Sequence, residues 1–266
     1  MPDSADNPGL ASWQASFEHR AFGRLIFDLY IGFNEGKWSY NVFKQNIGST
    51  DYTFSEFKQQ NSQYLQIFEV QFFQRELRYP SNLQEIQELL RYAAPFVNLG
   101  SLSMQLNYLK DGDLVTDIFS HFKNTQFEKI EFLSHKKCYE DFLKVQLQTG
   151  LLKNLWISGN GWSKETTRSI REFILTKPFS SVNSISSNLL FDKNFLEKLF
   201  EICVFRKEQM MWGNFCIRYK TLEKIKPEFR VECYDDTVIW RRNDGVDVKA
   251  TIYYENEWYV TLKAPS

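Results

Sequence analysis

Apolar side chains in the middle of the chain recur in a fixed figure. Leu99-Gly-Ser-Leu102-Ser-Met104-Gln-Leu-Asn107 fits the pattern L-x-x-L-x-L-x-x-N, and Leu152-Lys-Asn-Leu155-Trp-Ile157-Ser-Gly-Asn160 fits it again. Phe127-Glu-Lys-Ile130-Glu-Phe132-Leu-Ser-His135 repeats it with His in the Asn place. A fourth copy, Phe179-Ser-Ser-Val182-Asn-Ser-Ile185-Ser-Ser-Asn188, needs one extra residue before Ile185, which a β-bulge supplies.

The copies start at 99, 127, 152 and 179, in steps of 28, 25 and 27. These fall within the roughly 20–29 residues of a leucine-rich repeat. Weaker copies flank them at Leu65-Phe68-Val70 and Trp212-Phe215-Ile217, with steps of 34 and 33. Between the copies, residues 114–122, 138–147, 164–175 and 193–204 carry helical periodicity. A strand-helix unit cannot bury its apolar face alone, so neighbours stack, with the strands forming a parallel sheet and the helices outside. The expected fold is therefore α/β, an irregular leucine-rich-repeat-like strand-helix array, in which each strand-end Asn satisfies backbone groups where the chain turns.

The flanks read differently. Residues 24–33 and 37–43 alternate around Asn34-Glu35-Gly36, the signature of an N-terminal β-hairpin with a three-residue connection. Thr53 with Glu56 has capping-box spacing. Residues 64–73 alternate as a strand, and Pro80-Ser81-Asn82 opens a helix with Leu83, Ile86, Leu89, Leu90 and Ala93 on one face, ended by Pro95. After Pro227, apolar runs at 229–233, 238–241, 246–254 and 258–263, broken by turn residues, predict an antiparallel β-meander. The expected division is a disordered leader at 1–12, the hairpin and array at 13–228, and an antiparallel β cap packed on the array at 229–266.

Composition narrows the function. Thirty-two basic and 33 acidic residues leave a net charge of -1 without a basic stripe, so nucleic acid is not an expected partner. No apolar run approaches the roughly 20 residues of a membrane span, so no membrane is expected either. Four scattered Cys and the absence of any Asn-x-Ser/Thr sequon point to a cytoplasmic location. His135 and Cys138 have metal-ligand spacing but supply two ligands where structural zinc takes four. Gly159-Asn160-Gly161 lacks the Lys and Ser/Thr of a nucleotide loop. Asp111 with Asp113, and Asp235 with Asp236, sit in turn contexts. No cofactor is expected.

One set of residues points outward. In L-x-x-L-x-L the residue between the last two apolar positions projects from the opposite face of the sheet. This places Glu69, Ser103, Glu131, Trp156, Asn183 and Cys216 in a row, with Gln105, Ser158 and Arg218 alongside. Trp156, a large amphipathic ring among polar neighbours, reads either as an anchor for a protein or peptide or as core covered by a flanking loop or the terminal sheet.

Five phrases carry a family resemblance: Ile31-Gly-Phe-Asn-Glu-Gly-Lys-Trp38-Ser-Tyr40, Pro95-Phe-Val-Asn-Leu99, Phe173-Ile-Leu-Thr-Lys-Pro-Phe179, Phe195-Leu-Glu-Lys-Leu-Phe200 and Ile239-Trp-Arg-Arg-Asn-Asp-Gly245. From about Trp13 onward the chain resembles a large nematode-expanded family of uncharacterised proteins related to F-box proteins. The resemblance implies a substrate-recognition region downstream of an F-box-like helical segment that docks the adaptor of a cullin ligase. Residues 1–10 do not supply that segment, so adaptor docking is not expected here. The functional expectation is a non-enzymatic protein-interaction module. The alternative is an enzyme whose site is assembled from non-contiguous Asp, Glu, Tyr and Cys residues.

Overall fold

Alternation in β-branched, aromatic and leucine-rich segments, interrupted by capped amphipathic helices, produces a mixed α/β chain. The computed structural model describes residues 24–45, 50–106, 113–184, 187, 189–202, 209–215, 230–233, 237–241, 247–254 and 257–263. Its strands are β1 (Leu25–Asn34), β2 (Lys37–Lys44), β3 (Thr50–Tyr52), β4 (Leu65–Phe73), β5 (Tyr79–Ser81), β6 (Val97–Met104), β7 (Phe127–Phe132), β8 (Asn154–Ile157), β9 (Ser181–Ser184), β10 (Leu190–Phe191), β11 (Gln209–Phe215), β12 (Arg230–Cys233), β13 (Thr237–Arg241), β14 (Asp247–Tyr254) and β15 (Glu257–Lys263). The helices are α1 (Phe54–Lys58), α2 (Leu83–Ala93), α3 (Asp113–His121), α4 (Lys137–Thr149), α5 (Lys164–Thr176) and α6 (Lys193–Ile202). Among the described residues no helix is long and apolar enough to cross a membrane.

All the strands belong to one sheet, with the path β12-β13-β14-β15-β11-β9-β8-β7-β6-β4-β1-β2-β3. From β1 through β4, β6, β7, β8 and β9 to β11 every pairing is parallel, and each strand joins the edge left by its predecessor. Leu29, Val70, Leu102, Ile130, Leu155, Val182 and Met211 stand side by side in register across this run. Each is at most 1% exposed. Ile31, Phe72, Met104 and Phe132 follow two residues later in the adjacent row and are equally closed to solvent. Burying one such side chain is worth about 1.5–3 kcal/mol, so these rows are the main cohesive element of the sheet.

The six helices among the described residues add to the same core. Phe57, Leu89, Leu90, Phe119, Leu143, Ile170, Phe173 and Leu196 join the strand residues in one buried cluster. Rings make much of the contact: Phe119 stacks on Phe142, and Phe132 on Tyr139, both at 4.5 Å between centroids.

The register corrects three details of the repeat. A bulge at Ile67–Glu69 puts Val70, rather than Phe68, in the place of Leu102. Met211 takes that place in β11, where Trp212-Phe215-Ile217 was the expected alignment. In β6 it is Gly100 that pairs with Phe127, because β7 holds one extra residue, Glu128, before Lys129 pairs with Ser101. These displacements arise where an irregular residue breaks period-2 alternation, which spacing alone does not reveal.

The hairpin is tighter than expected. Asn34 pairs with Lys37, leaving Glu35 and Gly36 as a two-residue turn with φ values of 50° and 80°. Positive φ at both central positions is the type I′ geometry that matches strand twist. The predicted capping box forms, with the Glu56 carboxylate accepting from the Thr53 backbone N–H at 2.7 Å. Of the predicted apolar face of α2, Ile86, Leu89, Leu90 and Ala93 are buried while Leu83 is exposed. The C-terminal strands continue the main sheet through antiparallel pairing of β15 with β11. The leader at 1–12, Asn107, Asn188, Cys216, Arg218, Asp111, Asp235 and Asp236 lie outside the described residues.

Candidate functional site

Strand alternation sends a second set of side chains to the face away from the helices. In one row, Asp28, Glu69, Ser101, Lys129, Asn154 and Ser181 are successive partners across β1, β4, β6, β7, β8 and β9. In the next, Tyr30, Gln71, Ser103, Glu131, Trp156 and Asn183 are partners. Glu69 therefore stands one row away from Ser103, Glu131, Trp156 and Asn183, and Gln71 occupies the place expected for it. The bulge at Ile67–Glu69 is the reason.

Trp156 occupies the middle of β8, hydrogen-bonded between β7 and β9, yet it is 39% exposed. A Trp in the interior of a sheet is ordinarily covered by a second layer. Beside it, Glu131 forms an ion pair with Lys129 at 2.8 Å along the same strand. On the other side the Asn183 Oδ1 is buried and accepts no hydrogen bond, while Asn154 Oδ1 accepts from Ser181 Oγ at 2.8 Å. Gln105 and Ser158 are half-buried just beyond the row. Ser103 is fully buried, because a short side chain is shaded by Gln71 and Glu131 on either side, and Gln105 Nε2 donates to its Oγ at 3.4 Å. Ser103 thus presents nothing to a partner.

At the β1 end the same face is acidic and more closed. Asp28 is buried, and Gln45 Nε2 donates to its two oxygens at 2.5 and 2.6 Å. Burial pushes the Asp28 carboxyl up to about 7, the Gln45 hydrogen bond opposes this, and the charge of Glu69 adds to it. Tyr30 donates to Glu69 Oε2 at 3.5 Å, and burial, with the charges of Asp28 and Glu69, raises its phenol.

A separate network ties the loops at the C-terminal ends of β7 and β8. The Glu140 carboxylate, from α4, is closed to solvent and accepts from His135 Nε2 at 2.9 Å, Ser163 N at 3.3 Å, Thr166 Oγ1 at 2.5 Å and Ser163 Oγ. Burial pushes this carboxyl up, but the bonds from Ser163, Thr166 and His135 together outweigh burial and hold it down at about 2. Ser163 is also the N-cap of α5, accepting from Thr166 N. His135, the residue in the Asn place, thus serves through its side chain to Glu140 rather than through a backbone ladder, and Asn160 is exposed. Cys138 packs against the core. No group of three or more His, Cys, Asp or Glu among the described residues is placed to hold a metal ion. The only sequence trace of the network is Glu140 at a helical position that should be apolar.

Comparison with known proteins adds no relative: no family model, no curated protein and no solved structure matches the chain.

Proposed function

We propose that this protein is a non-enzymatic interaction module of leucine-rich-repeat type, and that it binds a polypeptide segment on the sheet face around Trp156. The observation that carries the reading is the exposure of Trp156 in mid-sheet. Large aromatic rings in such positions are the side chains that dominate binding energy when a partner covers them. The neighbours define the partner's chemistry. Glu131 is an acceptor beside the ring, so the segment offers an apolar side chain to Trp156 flanked by N–H donors or a cationic side chain. The resemblance to F-box-related proteins supports the same reading, with this face as the substrate-recognition surface.

The alternative enzyme would use Asp28, Glu69 and Tyr30, where two carboxylates and a phenol meet. Gln45 already occupies both Asp28 oxygens, and the group is buried, so that cluster is better suited to structure than to substrate.

Affinity capture from the native organism, with the parent and with Trp156→Ala and Glu131→Lys, tests the proposal. Both variants are expected to lose the captured polypeptide while melting within about 1 kcal/mol of the parent, as exposed substitutions do. Loss of folding in Trp156→Ala would make the ring part of the core and end the proposal.

A further inference from the structure

We propose that the pocket between the C-terminal ends of α2 and α3 binds the oxyanion of a small molecule carrying a phosphate or carboxylate group. The pocket lies at the N-terminal ends of β6 and β7, away from the Trp156 region, and is independent of the function proposed for that face. Its volume is about 420 Å³, and its lining includes Arg91, Asn98, His121, Asn124, Thr125 and Gln126 over a floor of Ala94, Pro95 and Val97. Residues bearing one guanidinium, one imidazole and three primary amides line it, and the lining holds no carboxylate. Planar guanidinium and amide N–H groups are the donors that recognise oxyanions. A cavity of this size falls in the range of roughly 300–1,000 Å³ typical of small-molecule sites, so the oxyanion is one end of a larger ligand.

Basic residues in a helix's last turn commonly serve the helix itself, by donating to its terminal carbonyls. Arg91 and His121 stand in the last turns of α2 and α3. Neither side chain donates to a carbonyl, and among the described residues neither they nor Asn98, Asn124 and Gln126 form a side-chain hydrogen bond or ion pair. These donors are open to a ligand, with Arg91, Asn98, Asn124 and Gln126 exposed and His121 half-buried. Burial, with the nearby Arg91 charge, lowers the His121 pKa, against the opposing charge of Asp117 on its own helix. An anion in the pocket would reverse that shift.

Isothermal titration of the full chain with inorganic phosphate and with citrate at neutral pH tests the site. Saturable binding of at least one probe is expected, about ten-fold weaker in Arg91→Ala and weaker in His121→Gln, with Arg91→Lys intermediate because it keeps the charge and loses the fork. Phosphate alone binding marks the ligand as a phosphate compound, and citrate alone marks it as a carboxylate. The bound probe should also raise the His121 titration midpoint seen by NMR. Failure of both probes to saturate, or unchanged affinity in the folded Arg91→Ala and His121→Gln variants, overturns the proposal.

Discussion

Single residues hold the loops of this chain in place, and Glu140 is the clearest case. Its carboxylate accepts from three hydroxyl or imidazole donors and a backbone N–H, drawn from the loop after β7 and the start of α5, so truncation takes the shared acceptor from all of them. Glu140→Ala is expected to cost about 3 kcal/mol in chemical denaturation. Because the folded carboxyl titrates near 2, below its ordinary 4.5, its contribution is full above the ordinary value and is lost as pH falls toward 2. Glu140→Gln should flatten the stability profile in that acid window. Gly159 and Gly161 belong to the same arrangement: both have positive φ, and a Cβ on either would stand under 3 Å from His135 atoms. Asp28 behaves in the opposite sense. With its ordinary value of 3.8 raised to about 7, the folded chain holds an extra proton between those pH values, and stability falls as pH rises through them. Asp28→Asn, which Gln45 can still donate to, should therefore melt on the order of 5 °C above the parent at pH 8 and close to it at pH 4.

Secondary-structure elements show how much of the fold was legible from the residues and where legibility stopped. Strands around Leu102, Ile130 and Leu155 follow from L-x-x-L-x-L, and the helices between them start and stop within a few residues of their periodicity. The capping box at Thr53 and the N-cap at Asn82 are local chemistry and form as read. What the residues did not disclose is register, because a single extra residue, Phe68 in β4 against β1 or Glu128 in β7 against β6, changes pairing without changing composition. The same limit governs the candidate site: repeat spacing puts Trp156 beside Glu131, as the register does, but puts Glu69 one row off and Ser103 in an open position. Short strands such as β3 and β5 escaped because three residues are too few to show alternation, and each is a strand only through its pairing with β2. The hairpin turn offers an element-scale test. Glu35 has a φ of 50°, which costs a side chain other than Asn or Gly, and Gly36 has open space around it. Glu35→Asn, giving Asn-Gly, is expected to stabilise the chain by about 0.5–1 kcal/mol in urea titration, and Gly36→Val to destabilise it by more than that.

At the scale of the whole molecule the parallel run poses an edge problem that its two ends resolve differently. A parallel strand that grows the sheet always leaves its outer backbone groups unpaired. At the start of the run, β1 is covered by β2, and the sheet finishes in β3, three residues long. At the other end the seven-residue β11 would expose a full edge, but β15 folds back along it with six paired residues, and β14 and β13 lead to the four-residue β12. Both final edges are thus short, which limits pairing with another chain. Removing residues 230–263 would leave β11 open along its length while the parallel rows beneath remain intact. Such a truncated chain should self-associate as concentration rises in light scattering, whereas the parent keeps one mass. A truncation that stayed at the parent's low association would show that β15 does not protect this edge, and that the C-terminal strands hold the molecule together by some other contact than backbone pairing.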